Sequence, residues 1–307
     1  MEAPRLHAGL VLIHGAGKEP SGYYRGFMAS IGRHLGAEAA VLPAWWADLC
    51  NLGAAARAGG DTGAPDELGT AGQPAVAADP PMSKEAESFR RDYLRDLGIG
   101  VRGSRQAGSG ETLGGRTAVR SVGGTLVSLA DTANDVVQYM FNPRLRAGVQ
   151  SRLLERLDEA RRRFDRAILV SHSLGTVIAY DVLRQHAAAY NVQSWYTTGS
   201  PLARLARLGR VNTNVGQIGG GAISNWHNLF DAGDIVASAL AGSFAFPIND
   251  VRVDNGGGVL NSHNYWGNIS VAAMIADDLR RRYLRVPARA EEGQPSARPR
   301  RPRTSRT

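Results

Sequence analysis

An apolar strand that runs directly into a serine-bearing turn and an apolar helix is the feature that most constrains the fold of this 307-residue chain. The strand is predicted over Arg166–Ser171 and the helix over Leu174–Ala188. Where strand and helix approach so closely, the residues two before and two after the apex must be small. Ser171 and Gly175 meet this requirement. The pattern therefore predicts a sharp, strained turn with Ser173 at its apex.

Alternating strands and helices elsewhere in the chain predict its fold class. Ala8–Ile13 is apolar throughout and ends at glycine, which is typical of a strand buried on both faces of a parallel sheet. The other predicted elements are helices over Ser21–Leu35, Pro143–Phe164 and Tyr265–Leu284, and strands over Ala39–Leu42, Gln193–Thr198, Ile223–Phe230 and Asp250–Val253. This order predicts an α/β fold with a mostly parallel sheet and helices on both of its faces.

One long segment interrupts the alternation and divides the chain. Residues 1–45 and 143–286 are predicted to form the α/β core, and residues 46–142 an insertion of helices and loops that caps it. Residues 287–307 are rich in Arg and Pro and are predicted to be a disordered tail.

Within the insertion, two loop-like stretches alternate with two helices. Residues 51–81 are rich in Gly, Ala, Pro and Asp, and Gly98–Gly115 is also loop-like. Ser83–Leu97 is predicted to be a charged helix with Ser83 as its N-cap. Val119–Met140 carries one apolar stripe, which favours a helix packed on its own core over a mobile lid that meets substrate.

Charge and cysteine content limit the possible partners and the compartment. The net charge is +8, and the segment after Arg285 contributes half of it with six arginines and two glutamates. We therefore expect no nucleic-acid partner, although the basic tail is a candidate contact for anionic surfaces. Cys50 is the single cysteine, which excludes an internal disulfide. The chain shows no signal-peptide pattern, and the predicted compartment is the cytoplasm.

Five stretches of the chain resemble the α/β-hydrolase superfamily, and within it the bacterial lipases and esterases. These stretches are Leu10–Gly17, His172–Tyr180, Gly199–Leu202, Asn228–Val236 and His263–Trp266. The resemblance covers roughly residues 8–45 and 143–284, and it departs at Ser171, where many relatives have glycine. It implies an α/β-hydrolase fold in which Ser173 is a nucleophile.

The chain order of the superfamily, serine then acid then histidine, implies a base for Ser173. Three histidines follow this serine. His186 lies in the helix after the turn, and His227 lies inside a predicted strand. His263 follows a strand and precedes the last helix, as the resemblance requires of the base.

The acid is implied in the same way, with one alternative. The acidic residues between the serine and this histidine are Asp181, Asp231, Asp234, Asp250 and Asp254. Asp231 and Asp234 occupy the loop after the preceding strand, where a carboxylate reaches the far side of an imidazole. Asp234, in Ala-Gly-Asp-Ile-Val, resembles the Asp-Pro-Val acid of relatives. The resemblance therefore favours Asp234 and keeps Asp231 as the alternative.

The backbone around the serine is implied to bind the developing oxyanion. In relatives the residue after His-Gly supplies one amide, which corresponds to Ala16, and Leu174 at the helix start supplies the other. The alternative is a strand–helix turn without a ligand. His14, Trp45 and Trp46 are candidates for the substrate pocket, while core packing is favoured for at least one of the two tryptophans.

Together these residues predict hydrolysis of a carboxylic ester through an acyl-enzyme on Ser173. The insertion favours a small-molecule ester with a bulky, apolar or lipid-like acyl group. No His/Cys cluster has metal-ligand spacing, so neither a metal nor an organic cofactor is expected. The alternatives are a thioesterase or amidase that uses the same residues, and a hydrolase-fold binding protein without catalysis.

Overall fold

A single parallel sheet forms the centre of the computed structural model, which describes residues 6–15, 20–50, 82–99, 123–214, 218 and 223–283. Its strands are β1 (Leu6–Ile13), β2 (Val41–Ala44), β3 (Phe164–His172), β4 (Val192–Thr198), β5 (Asn225–Asp231) and β6 (Ile248–Val253). They lie in the order β2-β1-β3-β4-β5-β6, and every neighbouring pair is parallel. The predicted α/β class and parallel sheet are confirmed.

In addition to helical residues 47–50, eight helices accompany the strands in the described part of the chain. They are α1 (Arg25–Leu35), α2 (Lys84–Asp96), α3 (Gly123–Phe141), α4 (Pro143–Arg163), α5 (Leu174–His186), α6 (Leu202–Arg207), α7 (Val259–Ser262) and α8 (Ile269–Asp278). A 3-10 turn follows α5, and a π-helical turn follows α8. None of the helices in these ranges is long and apolar enough to cross a bilayer.

Side-chain caps explain where two of these helices begin. Ser83 accepts a hydrogen bond from the backbone of Ala86, as predicted for the N-cap of α2. The last helix begins at Ile269 rather than at Tyr265, because the Asn268 side chain accepts from the amides of Ser270 and Val271. The apolar pattern does not predict α6 or α7, since four to six residues are too few to show a helical period.

Both faces of the sheet are buried at β1, which explains why this strand is apolar from Ala8 to Ile13. In β1, Val11 and Ile13 face one hydrophobic cluster, and Leu10 and Leu12 face a second one. The first cluster contains side chains of α4 and α5, and the second contains side chains of α1 and α8. Helices therefore cover both faces, as expected for a parallel sheet.

Helices α2 and α3, which lie in the predicted insertion, pack on the core. Phe89 of α2 and Val136 of α3 belong to the same buried cluster as the helices of the first face. The Tyr139 hydroxyl of α3 donates a hydrogen bond to Asp181 of α5 at 2.9 Å. The predicted loop at 51–81, most of the loop at 98–115 and the predicted tail at 287–307 lie outside the described residues.

The strand order predicts one crevice at the carboxyl edge of the sheet. The chain passes from β1 to β2 on one side and then returns to β3 on the other side of β1. Ends of strands with diverging connections leave room between them for a ligand. Ile13 pairs with Ser171 in register, so the residues that follow β1 and β3 meet at this crevice.

Candidate active site

Ser173 occupies a strained turn between β3 and α5. Its backbone angles are φ 52° and ψ −128°, and no other non-glycine residue in the described ranges has a positive φ. Its amide donates to Thr198 O at 2.9 Å, and its carbonyl accepts from the Thr176 amide at 2.9 Å and hydroxyl at 2.7 Å. Strain of this kind costs about 1–3 kcal/mol and persists only where surrounding bonds over-determine the backbone.

Glycines allow the end of β1 to approach this turn. A Cβ atom on Gly175 would lie 2.5 Å from His14 O, and one on Gly15 would lie 2.2 Å from the Ser173 Cβ. Both distances are far below van der Waals contact, so neither position accepts a side chain without rearrangement. The close packing holds the backbone of Gly15 beside the Ser173 side chain.

Ser171, two residues before the turn, uses its hydroxyl in the core. The hydroxyl donates to Tyr196 O at 3.1 Å and accepts from the Trp195 indole N–H at 2.8 Å. A buried indole N–H requires such an acceptor. The serine therefore satisfies the Trp195 side chain while remaining small enough for the turn.

Three side chains predicted to act together form a continuous hydrogen-bonded chain. His263 Nε2 lies 2.9 Å from Ser173 Oγ, and His263 Nδ1 lies 2.8 Å from Asp234 Oδ2. An ionised carboxylate only accepts, so the proton between these two residues belongs to Nδ1. Nε2 of the neutral imidazole is then the acceptor for the Ser173 hydroxyl.

Asp234 remains ionised although its side chain is only 1% exposed. Burial by itself raises the pKa of this carboxyl, but hydrogen bonds and the charge of His263 outweigh burial and lower the pKa below its ordinary value. The other donors are the Val236 amide at 2.9 Å and the Tyr265 hydroxyl at 3.0 Å. The carboxylate can therefore stabilise a positive charge on His263.

Asp231, the alternative acid, has a different set of partners. Its carboxylate accepts from the Gly233 amide at 2.7 Å and from the Asn255 amide at 2.6 Å. These bonds tie the loop after β5 to the segment after β6. Asp234 is therefore the aspartate that contacts His263, and Asp231 shapes the loop that carries it.

Tyr265 is a site residue to which the sequence pattern assigns no role. Its hydroxyl donates to Asp234 Oδ2 and accepts from the Asp231 amide at 2.8 Å. Burial, followed by the negative charge of Asp234, raises the pKa of this phenol above its ordinary value, so it remains a donor. The only sequence signal for Tyr265 is its place in His263–Trp266, one of the five stretches that resemble α/β-hydrolases.

His172 lies behind the candidate base and is 6% exposed. Its Nε2 donates to the backbone carbonyl of His263 at 3.0 Å, and the two imidazole rings are 4.8 Å apart. Burial, followed by the charge of His263, lowers the pKa of His172 to about 3. The ring is therefore neutral near pH 7 and supports the loop of His263 without adding charge beside it.

Gly199 makes room for two aromatic rings of the candidate site. It follows β4 with φ +62°, a conformation that favours glycine. A Cβ atom there would lie 2.8 Å from the Tyr265 ring and 3.0 Å from the His263 ring. The glycine therefore lets both rings pack against the end of β4.

The predicted oxyanion and pocket residues have mixed outcomes. Leu174 supplies the first amide of α5, which has no intrahelical acceptor, whereas Ala16 lies outside the described residues. His14 and Trp46 are fully buried and stack at 4.8 Å, and the Trp46 indole donates to His14 O at 3.1 Å. Trp45 is half-buried. His14 and Trp46 thus join the ends of β1 and β2.

The other two histidines after the serine lie elsewhere. His186 ends α5. His227 lies in β5, where its Nδ1 is 3.1 Å from Asn249 Nδ2. It lines a cavity of about 450 Å³ between β4–β6 and α8, to which none of Ser173, His263 and Asp234 contributes. Within the described ranges, no three His, Cys, Asp or Glu side chains are grouped to hold a metal ion.

The arrangement as a whole joins a carboxylate through an imidazole to a hydroxyl on a strained turn. Such a chain can remove the hydroxyl proton as the oxygen attacks an electrophile, and can return that proton to a leaving group. The positively polarised start of α5 lies beside the same oxygen. No family model matches this chain, and no curated protein matches it.

Proposed function

We propose that the protein is a serine hydrolase of the α/β-hydrolase type that cleaves a carboxylic ester through an acyl-enzyme on Ser173. The observation that carries the proposal is the unbroken series of contacts from Asp234 through His263 to Ser173, at 2.8 Å and 2.9 Å. An imidazole bound on one nitrogen by a carboxylate and on the other by a hydroxyl activates serine in many unrelated hydrolases.

The placement of these residues in the fold supports the superfamily assignment. Ser173 follows β3, Asp234 follows β5 and His263 follows β6, in the order serine, acid, histidine. All three therefore come from the carboxyl edge of the parallel sheet, where the crevice lies. The single strained non-glycine backbone of the described chain belongs to the same serine.

The proposed reaction has two steps that share one base. His263 takes the Ser173 proton as Oγ bonds to the ester carbonyl, and the imidazolium then protonates the departing alkoxide as the C–O bond breaks. Water attacks the acyl-enzyme by the same route, and Ser173 recovers its proton. The Leu174 and Ala16 amides are proposed to bind the oxyanion, and Asp234 to stabilise the imidazolium.

A covalent label tests the nucleophile directly. A fluorophosphonate probe should label the wild-type protein, and Ser173→Ala should abolish labelling and lower ester turnover by on the order of 10⁵-fold or more. Ser200→Ala is the matched control, because Ser200 is also buried, lies nearby through a 2.8 Å contact with Thr176, and has no positive φ. Equal labelling of both variants would show that the nucleophile is not Ser173, and an unlabelled but folded wild type would favour the binding-protein alternative.

The substrate is proposed to carry a bulky, apolar or lipid-like acyl group. We expect turnover of p-nitrophenyl esters to rise as the acyl chain is lengthened from acetate. A steady fall beyond acetate would contradict the proposed acyl group without affecting the nucleophile. Matched thioester and anilide substrates separate the thioesterase and amidase alternatives, since faster turnover of either would change the reaction class.

A further inference from the structure

Arg204 of α6 connects the insertion to the segment that follows Asp234. Its side chain is 14% exposed. Nη1 donates to the backbone carbonyl of Asp96 at 2.7 Å and to its carboxylate at 2.5 Å. Nε donates to Val236 O at 3.1 Å, and Nη2 donates to Ile235 O. One guanidinium thus joins the last residue of α2 to two consecutive carbonyls beside the candidate acid.

One of these carbonyls belongs to the peptide unit that binds Asp234. The Val236 amide donates to Asp234 Oδ1 at 2.9 Å, and the carbonyl of the same peptide is that of Ile235. A peptide unit is planar with its N–H and C=O on opposite sides, so holding the oxygen also sets the direction of the N–H. Arg204 therefore orients a donor of the Asp234 carboxylate without touching the carboxylate itself.

The charge of this guanidinium is balanced on the insertion side. A largely buried arginine requires a paired anion, and Asp96 supplies it. Arg207, which is 53% exposed, also reaches Asp96 at 3.0 Å. The two arginines share an anion, but only Arg204 also bonds to the carbonyls after Asp234.

We propose that Arg204, held by Asp96 of α2, is a positioning residue for Asp234, so that the insertion contributes to the geometry of the active site. The inference rests on the proposed function, in which Asp234 orients His263 and stabilises its charged form. The planar fork of Arg204 bonds to three backbone carbonyls and one carboxylate at once, whereas a single ammonium group does not.

Arg204→Lys tests this role because it retains the positive charge and removes the fork. We expect kcat on a p-nitrophenyl ester to fall about tenfold or more with little change in KM, because Arg204 is proposed to act through Asp234 and not on the substrate. The fluorophosphonate labelling rate should fall by a similar factor. Arg207→Lys is the matched control, which alters the other partner of Asp96, and should keep kcat within about twofold of wild type.

The outcomes separate the two proposals. If the wild type reacts with the probe but Arg204→Lys retains its kcat and labelling rate, the positioning role is wrong and the proposed function stands. An unreactive wild type would contradict the proposed function itself. If Arg204→Lys does not fold, Asp96→Asn takes its place, because it weakens the hold on Arg204 from the insertion. A fall in kcat of about threefold with an unchanged melting temperature would support the role, and an unchanged kcat would overturn it.

Discussion

Replacing Ser173 by glycine should stabilise the protein relative to replacing it by alanine, although both variants lack the nucleophile. The comparison isolates the backbone, because both substitutions remove the same hydroxyl and the same 2.9 Å contact with His263. Alanine retains the Cβ atom that makes φ 52° and ψ −128° unfavourable, and glycine does not. A stability difference between the two variants therefore measures strain at the turn.

The size of the effect follows from two opposing terms. Relief of a strained backbone of this kind is worth about 1–3 kcal/mol. Glycine also gains more freedom than alanine in the unfolded chain, which costs about 0.5–1 kcal/mol of stability. The free energy of unfolding should therefore be about 1 kcal/mol higher for Ser173→Gly, and its melting temperature about 2 °C higher.

Urea denaturation of the two variants, followed by tryptophan fluorescence, gives the difference in their free energies of unfolding. The difference is calculated from the two midpoints and a common slope. Ser200 provides the control, because it is buried and its φ is not positive. There the order should reverse, with Ser200→Gly less stable than Ser200→Ala by about 0.5–1 kcal/mol. If glycine is destabilising by the same amount at both positions, the serine turn is not strained and the reasoning fails.

Two further predictions concern the residues around the base. Tyr265→Phe removes the hydroxyl that joins Asp234 to the Asp231 amide. We therefore expect the free energy of unfolding to fall by about 1–3 kcal/mol and kcat to fall as well. Wild-type values of both quantities would contradict the role of this hydroxyl. His172 has a pKa of about 3 in the folded protein and about 6.5 in the unfolded chain. As the pH drops from about 6.5 toward 3, the unfolded chain binds the proton first, so the free energy of unfolding falls. The loss should be about 2 kcal/mol from pH 7 to pH 5, and a His172→Gln variant with the same pH dependence in urea titrations would refute it.

Local sequence patterns predict the strands and the turn because their determinants are local. Ala8–Ile13 and Arg166–Ser171 are apolar on both faces, and only a strand covered by helices on both sides buries such runs. The structure extends them to Leu6–Ile13 and Phe164–His172. Small residues around Ser173 likewise predict close packing, which Gly175 shows against His14 O.

Local patterns do not predict the residues that act through another side chain. Tyr265 and Arg204 have ordinary neighbours in the sequence, and their importance comes from partners 31 and 108 residues away. His14 and Trp46 illustrate the same point. Their place at strand ends makes them pocket candidates, but no local pattern predicts that their buried rings stack at 4.8 Å.

The sequence by itself determined the parallel sheet, the bend at Ser173 and the short set of acids and histidines that could accompany this serine. These follow from the apolar pattern, from the size of the residues and from their order in the chain. Only the tertiary structure shows which of Asp231, at the end of β5, and Asp234, in the loop after it, contacts His263. That choice depends on where the loops after β5 and β6 meet: His263 Nδ1 lies 2.8 Å from Asp234, while Asp231 binds the backbone of Gly233 and Asn255. Distances of this kind arise from packing between distant segments, and no local pattern specifies them.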